Sequence, residues 1–270
     1  MTLARRVAPI LEIDPQGALR TRYVRGGMEM PYVEAVAGYL VQDGADEIWL
    51  RLRGADARGA AGLFEPLKAL EKRVFVPVVA WGAVRSPADA RLLVGLGAER
   101  VVVDCLDEAV EDPIGFVEII ARAIGPDRVT AALVTRRVVS QGRVAWELCR
   151  PDGASTGQDA VATAVTLASV GAGEIAIQPH YSGIAALEAG VVHDADLVDT
   201  LLSALAVQVI SVGEDREPAD MVTPLLMGAD GVASARLFAD GSVSVVDAKA
   251  ALAEYGIPLR PPYPPYTAPR

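Results

Sequence analysis

Asparagine is absent from this 270-residue chain, and only three of its 25 basic residues are lysines (Lys68, Lys72 and Lys249). A bias so lopsided towards arginine reflects the base composition of the coding DNA and excludes nothing about function. There are two cysteines, Cys105 and Cys149, far apart in sequence. That excludes a closely spaced metal or redox pair and a disulfide-stapled scaffold, and it fits a reducing, cytoplasmic setting. Two histidines, His180 and His193, are too few for an ordinary zinc site, and nothing else calls for a metal or a cofactor. No apolar run of about 18 residues is free of charges and breakers, so we expect no membrane span. Met1–Ile13 is too short and too charged to read as a secretory leader. Positive charge is also in deficit. A net charge of −10 argues against a general nucleic-acid binder, while leaving room for a local basic pocket that takes a small anionic metabolite.

What is present is ample core material, with 51% hydrophobic and 22% charged residues, enough to exclude a disordered chain. Short β-branched runs alternate with helical patterns. Strands are expected near Val7–Ile13, Glu47–Leu52, Val74–Ala80, Arg100–Asp104, Val129–Val134, Glu174–Gln178, Val207–Val212 and Gly231–Ser234. They are apolar on both faces, as buried parallel strands are. Ser86 followed by Pro87 reads as an N-cap and first helical residue.

Two segments repeat each other. Val79-Ala80-Trp81-Gly82, Pro87-Ala88-Asp89 and Gly97-Ala98 recur as Ile210-Ser211-Val212-Gly213, Pro218-Ala219-Asp220 and Gly228-Ala229, always 131 residues on (82 to 213, 87 to 218, 97 to 228). A half-length period implies two similar halves. Within them, Gly44-Ala45, Gly97-Ala98, Gly171-Ala172 and Gly228-Ala229 each close a helix and open a strand. Eight strands, eight helical connections and this fourfold signature predict a single α/β domain over residues 1–258, a (β/α)8 TIM barrel of two half-barrels. Val138–Trp146 and Glu147–Gly157 read as an inserted hairpin after the fifth strand, turning near Ser140-Gln141-Gly142. Residues 259–270 form a Pro/Tyr-rich tail, either a polyproline ligand or a loose terminus.

The opening Ala4-Arg5-Arg6-Val7, the Gly44-Ala45-Asp46-Glu47 segment, the inserted hairpin and Gly171-Ala172-Gly173-Glu174-Ile175 resemble, over nearly the whole chain, the HisF/HisA family: the cyclase subunit of imidazole glycerol phosphate synthase and its isomerase relative. The resemblance implies the half-barrel repeat and a pair of catalytic aspartates at the ends of the first and fifth strands. Here the first position is Glu12, which still moves a proton. The fifth is Val134, which does not. The resemblance also implies two phosphate sites. One is a triple-glycine turn after the third strand, which reads Ala80-Trp81-Gly82 here. The other is a glycine pair after the seventh, which reads Val212-Gly213-Glu214 and puts a carboxylate where a phosphate would sit. The loop after the sixth strand is His180-Tyr181-Ser182-Gly183-Ile184. The eighth ends in Ser234-Ala235-Arg236, where Arg236 either binds an anionic group or pairs with Glu214.

Candidate catalytic residues are therefore Glu12, against a structural ion pair with Arg20 or Arg51, and His180, against a loop histidine with a backbone partner. Candidate substrate-binding residues are Trp81, Gly82, Asp104, Gly213, Glu214, Ser234 and Arg236. Cys105 lacks a base beside it and makes a poor nucleophile. Arg136 and Arg137 either face an acidic ligand or form a solvated hairpin base. Asp14 either lines the site or caps a turn. At the opposite barrel face the resemblance implies a charged ring gating ammonia delivery from a glutaminase partner. Its counterparts here are Arg6, Glu47, Arg100 and Glu174, which serve either as a gate or as a plug.

Three readings follow. The first is a divergent HisF-like enzyme running a cyclase, lyase or ammonia-incorporating step on a small anionic metabolite, with a glutaminase-like partner. The second is a non-catalytic paralogue that binds a partner or metabolite. The third is the histidine-pathway cyclase itself.

Overall fold

Strands apolar on both faces must be covered on both, and a closed barrel ringed by helices does this. The computed structural model of the chain describes residues 4–54, 59–82, 84–107, 110–140, 142–150, 152–180 and 192–261. Eight parallel strands form the barrel: β1 (Arg6–Ile13), β2 (Ile48–Leu52), β3 (Val78–Trp81), β4 (Arg100–Asp104), β5 (Val129–Ser140), β6 (Glu174–Pro179), β7 (Gln208–Gly213) and β8 (Gly231–Ser234). Each pairs with the next, and β8 pairs with β1 to close the ring. Helices α1 (Val33–Gln42), α2 (Phe64–Glu71), α3 (Pro87–Gly95), α4 (Pro113–Ile124), α5 (Ala160–Ser169), α6 (Ala195–Ala204), α7 (Val222–Met227) and α8 (Val245–Ala253) follow the strands one by one. This is the expected (β/α)8 barrel.

The repeat extends to single hydrogen bonds. Asp89 accepts from the backbone N–H of Arg85 at the start of α3, and Asp220 accepts from that of Arg216, 131 residues on, before α7. Ser86 caps α3 through the N–H of Asp89. The glycines that close helices, Gly44, Gly97, Gly171 and Gly228, all hold φ between 100° and 119°, a conformation that side chains with a Cβ resist.

Two strand boundaries and one connection differ from the sequence expectation. Strand β3 begins at Val78, not Val74, because Phe75 turns out to solvent (86% exposed) and Pro77 has no N–H for a ladder. Strand β5 does not stop at Val134. It runs on to Ser140 and pairs antiparallel with Arg143–Cys149, which pairs in turn with Ser155–Asp159. The insertion is thus a three-stranded meander. A small ribbon, Tyr23–Arg25 against Met28–Met30, also occupies the first βα connection and turns at Gly26-Gly27, a hairpin signal that the sequence reading passed over. Leu259 bridges to Arg5. The proline-rich stretch from residue 262 lies outside the described residues. No helix among the described residues is long and apolar enough to cross a membrane.

Candidate active site

Alternation sends every second strand residue into the barrel. The interior row comprises Ala8 and Ile10 on β1, Trp49 on β2, Val79 and Trp81 on β3, and Val102 on β4, with counterparts on the remaining strands. One step further towards the strand C-termini, the same row reads Glu12, Arg51, Asp104, Val134, Gln178 and Glu214. That mouth is where barrel enzymes hold their chemistry.

Arg51 is its centre. The side chain is buried (residue 7% exposed), and its guanidinium lies 3.9 Å over the ring of Trp81, a cation–π stack in a desolvated place. Nη2 donates to Gln178 Oε1 at 3.2 Å, while Nη1 is buried with no hydrogen-bond partner among the described residues. Burial lowers the Arg51 pKa to about 10, with the nearby Arg53 acting in the same direction and Glu12, Asp104 and Glu214 opposing. A buried guanidinium N–H without an acceptor is rare and costly.

The carboxylates divide into two kinds. Glu12 accepts from Arg53 Nε at 2.5 Å, so its ion-pair partner is Arg53 and neither Arg20 nor Arg51; Arg20 meets Glu12 only through a backbone bond. Glu214 and Asp104 have no ion-pair partner among the described residues. Burial pushes the Glu214 carboxyl above its ordinary range, reinforced by the charge of Glu12 and opposed by Arg51 and Arg53. Burial likewise pushes Asp104 up, against a hydrogen bond from the Leu106 N–H and the charge of Arg51. Val134 adds no titratable group, so the second carboxylate facing Glu12 comes from the end of β7 and not from β5.

Both phosphate-turn glycines are spent on packing. A Cβ on Gly82 (φ 125°) would stand 3.0 Å from the carbonyl oxygen of Leu52, and one on Gly213 would stand 2.5 Å from the ring of His193. His193 Nδ1 and Ser211 Oγ lie 2.7 Å apart, as do His193 Nε2 and Asp215 Oδ1, all buried. The arrangement inverts a nucleophilic triad, in which Nε2 serves the serine. Ser211 also faces the helix layer, so the trio works as a bracket. It pins the approach to α6 onto β7 and fixes the backbone beside Glu214. Gly213→Ala is therefore expected to cost about 1–3 kcal/mol by forcing the His193 ring aside, read as a lowered urea midpoint.

The other candidates separate. The Ser234 hydroxyl is buried on the helix side and accepts from the N–H of Leu237, so it does not reach the mouth. Arg236 is exposed and forms no ion pair with Glu214, because its side chain points outward past the end of β8. The N–H of His180 donates to the carbonyl of Thr135. Its ring rests on Gly153 of the meander and has no hydrogen bond to Glu12. Tyr181, Ser182, Gly183 and Ile184 lie outside the described residues. Asp14 caps a turn through the N–H groups of Gln16 and Ala18. Arg136 pairs with Glu147, and Arg137 with Asp194 and Asp196. Burial, and then the neighbouring Asp104, push the Cys105 thiol up, the opposite of what a nucleophilic thiolate needs. Arg51, Arg53 and Gln178 were not among the sequence candidates. The signal was there in the alternation Trp49-Leu50-Arg51-Leu52-Arg53, where two charges continue an inward apolar row.

At the opposite mouth the four expected residues meet. Arg6 hydrogen-bonds to Glu47 (3.1 Å) and Glu174 (2.5 Å), and Arg100 hydrogen-bonds to Glu47 while its Nε stands 3.5 Å from Glu174 as an ion pair without a hydrogen bond. Trp49 Nε1 donates to Glu47 and Thr130 Oγ1 to Glu174. Burial pushes the Glu47 carboxyl up, but Arg6, Arg100 and the Trp49 N–H outweigh it, and the net shift is downward. Directly above the ring, Trp49 and Trp81 pack edge to face at 5.7 Å and fill the barrel axis.

Comparison with known proteins agrees with this architecture. The chain is 28% identical over 261 residues to the imidazole glycerol phosphate synthase subunit HisF of Leifsonia xyli subsp. xyli (strain CTCB07), covering 97% of this chain and all of that protein. A family model described as "Histidine biosynthesis protein" matches residues 27–244, most of the barrel, and the chain belongs to that family.

Proposed function

We propose that this HisF-like barrel is an enzyme of the cyclase or lyase type that moves protons on a small metabolite carrying an anionic group. Glu12 and Glu214 are the proton-transfer pair, and Arg51 is the anion-binding centre. The observation that carries this reading is the buried Arg51 with its unpartnered Nη1 among three carboxylates. Such a cluster destabilises the fold, and a ligand gives it a purpose. Glu12 beside Arg53 acts as the base. Glu214, whose carboxyl is pushed up by burial, acts as the acid. Trp81 and Asp104 shape the floor, while Gly82, Gly213, Ser234 and Arg236 recede from the substrate and His180 is left at the rim.

The ring of Arg6, Glu47, Arg100 and Glu174 supports a glutaminase-like partner at the N-terminal face, as does the relative's description as one subunit of a synthase. An ammonia-incorporating step through the barrel would require Trp49 and Trp81 to move, so we assign the ring first to closure and docking. A cytoplasmic setting completes the reading.

Incubating the protein with a metabolite extract of its host, followed by mass spectrometry, is expected to show one metabolite consumed. Glu12→Gln should slow that loss by about 10²–10⁴-fold. An extract left unchanged by the wild-type chain would make the protein a non-catalytic binder. Rescue of a strain lacking the histidine-pathway cyclase would return it to that pathway.

A further inference from the structure

Strand β7 ends at Gly213, where the N–H of Ala235 reaches its carbonyl only at 3.5 Å. Glu214 is the first residue past the strand, so the ladder no longer fixes where its side chain points. Its neighbours do. Ser211, Gly213 and Asp215 alternate with Val212 and Glu214, so the first three share the helix side and the other two the barrel side. We propose that His193 is the positioning residue of the acid Glu214: its ring spans Ser211 to Asp215 across Gly213, carries the alternation of β7 past the end of the ladder, and holds Glu214 towards the mouth. The inference rests on the functional reading above and specifies how its acid is held.

Three observations support it. The staple is short and dry: Nδ1 lies 2.7 Å from Ser211 Oγ and Nε2 lies 2.7 Å from Asp215 Oδ1, and all three residues are buried. With the Ser211 hydroxyl donating to Nδ1, the Nε2–H donates to Asp215. Hydrogen bonds made out of water are the stronger ones.

The far end of the staple is itself anchored. Asp194, next in sequence, caps α6 through the N–H of Leu197 and accepts from Arg137 and Trp146 of the meander. The ring cannot drift without dragging the α6 cap and the meander with it. Finally, residue 215 is a carboxylate where a neutral acceptor would serve the ring equally well. Its Oδ2 is buried with no hydrogen-bond partner among the described residues, a cost to stability. Burial is the main force pushing the Glu214 carboxyl up, and the charge of Asp215 acts in the same direction, together with Glu12 and against Arg51 and Arg53. A bracket built only for stability has no use for that charge; one that keeps a proton on Glu214 does.

The test follows the titration of the Glu214 carboxyl by carbon-13 NMR in the full chain, with its resonance assigned from Glu214→Gln. In the wild type the midpoint lies above the ordinary glutamate range. His193→Ala is expected to let Glu214 swing into water and return the midpoint to that range. Asp215→Asn keeps an oxygen that accepts from Nε2–H, so the midpoint should stay high. Ser211→Ala removes one anchor and leaves the ring, and it should shift the midpoint in the same direction as His193→Ala; it carries the test if His193→Ala fails to fold. Urea midpoints are measured alongside, because a merely structural bracket would lower them and leave the Glu214 titration where it is. A Glu214 midpoint that stays or rises in His193→Ala and Ser211→Ala, or that falls as far in Asp215→Asn, would overturn the inference. Turnover judges the functional reading separately. In an active enzyme His193→Ala should lower kcat by about 10²-fold, as a misplaced group does, with KM little changed. Relaxation of Glu214 in a chain without turnover sinks only the enzyme, and turnover with an unmoved Glu214 sinks only the staple.

Discussion

Glu47→Ala is expected to destabilise the barrel by about 3–5 kcal/mol, the usual cost of removing one partner from a buried ion network. Glu47 is 1% exposed and takes bonds from Arg6, Arg100 and the indole of Trp49. Its loss leaves two guanidinium groups, 12% and 13% exposed, facing each other with only Glu174 between them, and leaves a buried indole N–H without an acceptor. Urea unfolding followed by circular dichroism reads the change directly. Replacing Arg6, Glu47, Arg100 and Glu174 together by apolar side chains of similar size should cost far less, because the desolvation of four charges disappears with their attraction. If Glu47→Ala were neutral, the ring would be solvated and the closed mouth described above would be wrong.

Glu214→Gln should have the opposite signature: a drop in turnover of about 10²–10⁴-fold with no loss of stability. The sign follows from linkage. Burial raises the Glu214 pKa in the folded state, so the folded chain holds this proton more firmly than the unfolded one. Its contribution to stability is therefore fully present below the ordinary glutamate pKa and is lost as pH rises through the raised value. Above that value the buried charge is a burden, and glutamine removes it. Turnover by the wild-type enzyme should fall on the alkaline side as Glu214 loses its acid proton, and that limb should vanish in the variant. A variant that kept the alkaline limb would transfer the role of acid to Asp104, the other carboxyl that burial pushes up.

The scaffold was legible because it rests on local and periodic signals. A 131-residue repeat, four glycines that close helices and β-branched runs each constrain the backbone within a few residues, and the barrel follows from their order. Glu12, Trp81, Asp104 and Glu214 fall at the C-terminal barrel mouth for the same reason, since a strand end is recognisable locally. What escaped was long-range. Ser234 and Arg236 sit next to the eighth strand end, yet one side chain turns to the helices and the other to solvent. His180 stands at a strand end but leans on Gly153 of the insertion. Arg51 looked like one ion-pair partner among several for Glu12, because nothing in the sequence says that Arg53 reaches Glu12 first.

By itself, then, the sequence determined the eightfold alternation, the two-half architecture, the four-charge ring and the loss of the fifth-strand carboxylate. Period and residue type encode the first two, and the resemblance to the HisF/HisA family points to the others; none of these needs coordinates. Only the tertiary structure decided which charges are paired. The same Arg51 would be an ordinary solvated side chain on an open strand. Closing the barrel stacks it on Trp81, removes its water and surrounds it with carboxylates from strands far apart in the chain. Burial and distance set the energy of a charge, and neither exists until the barrel closes.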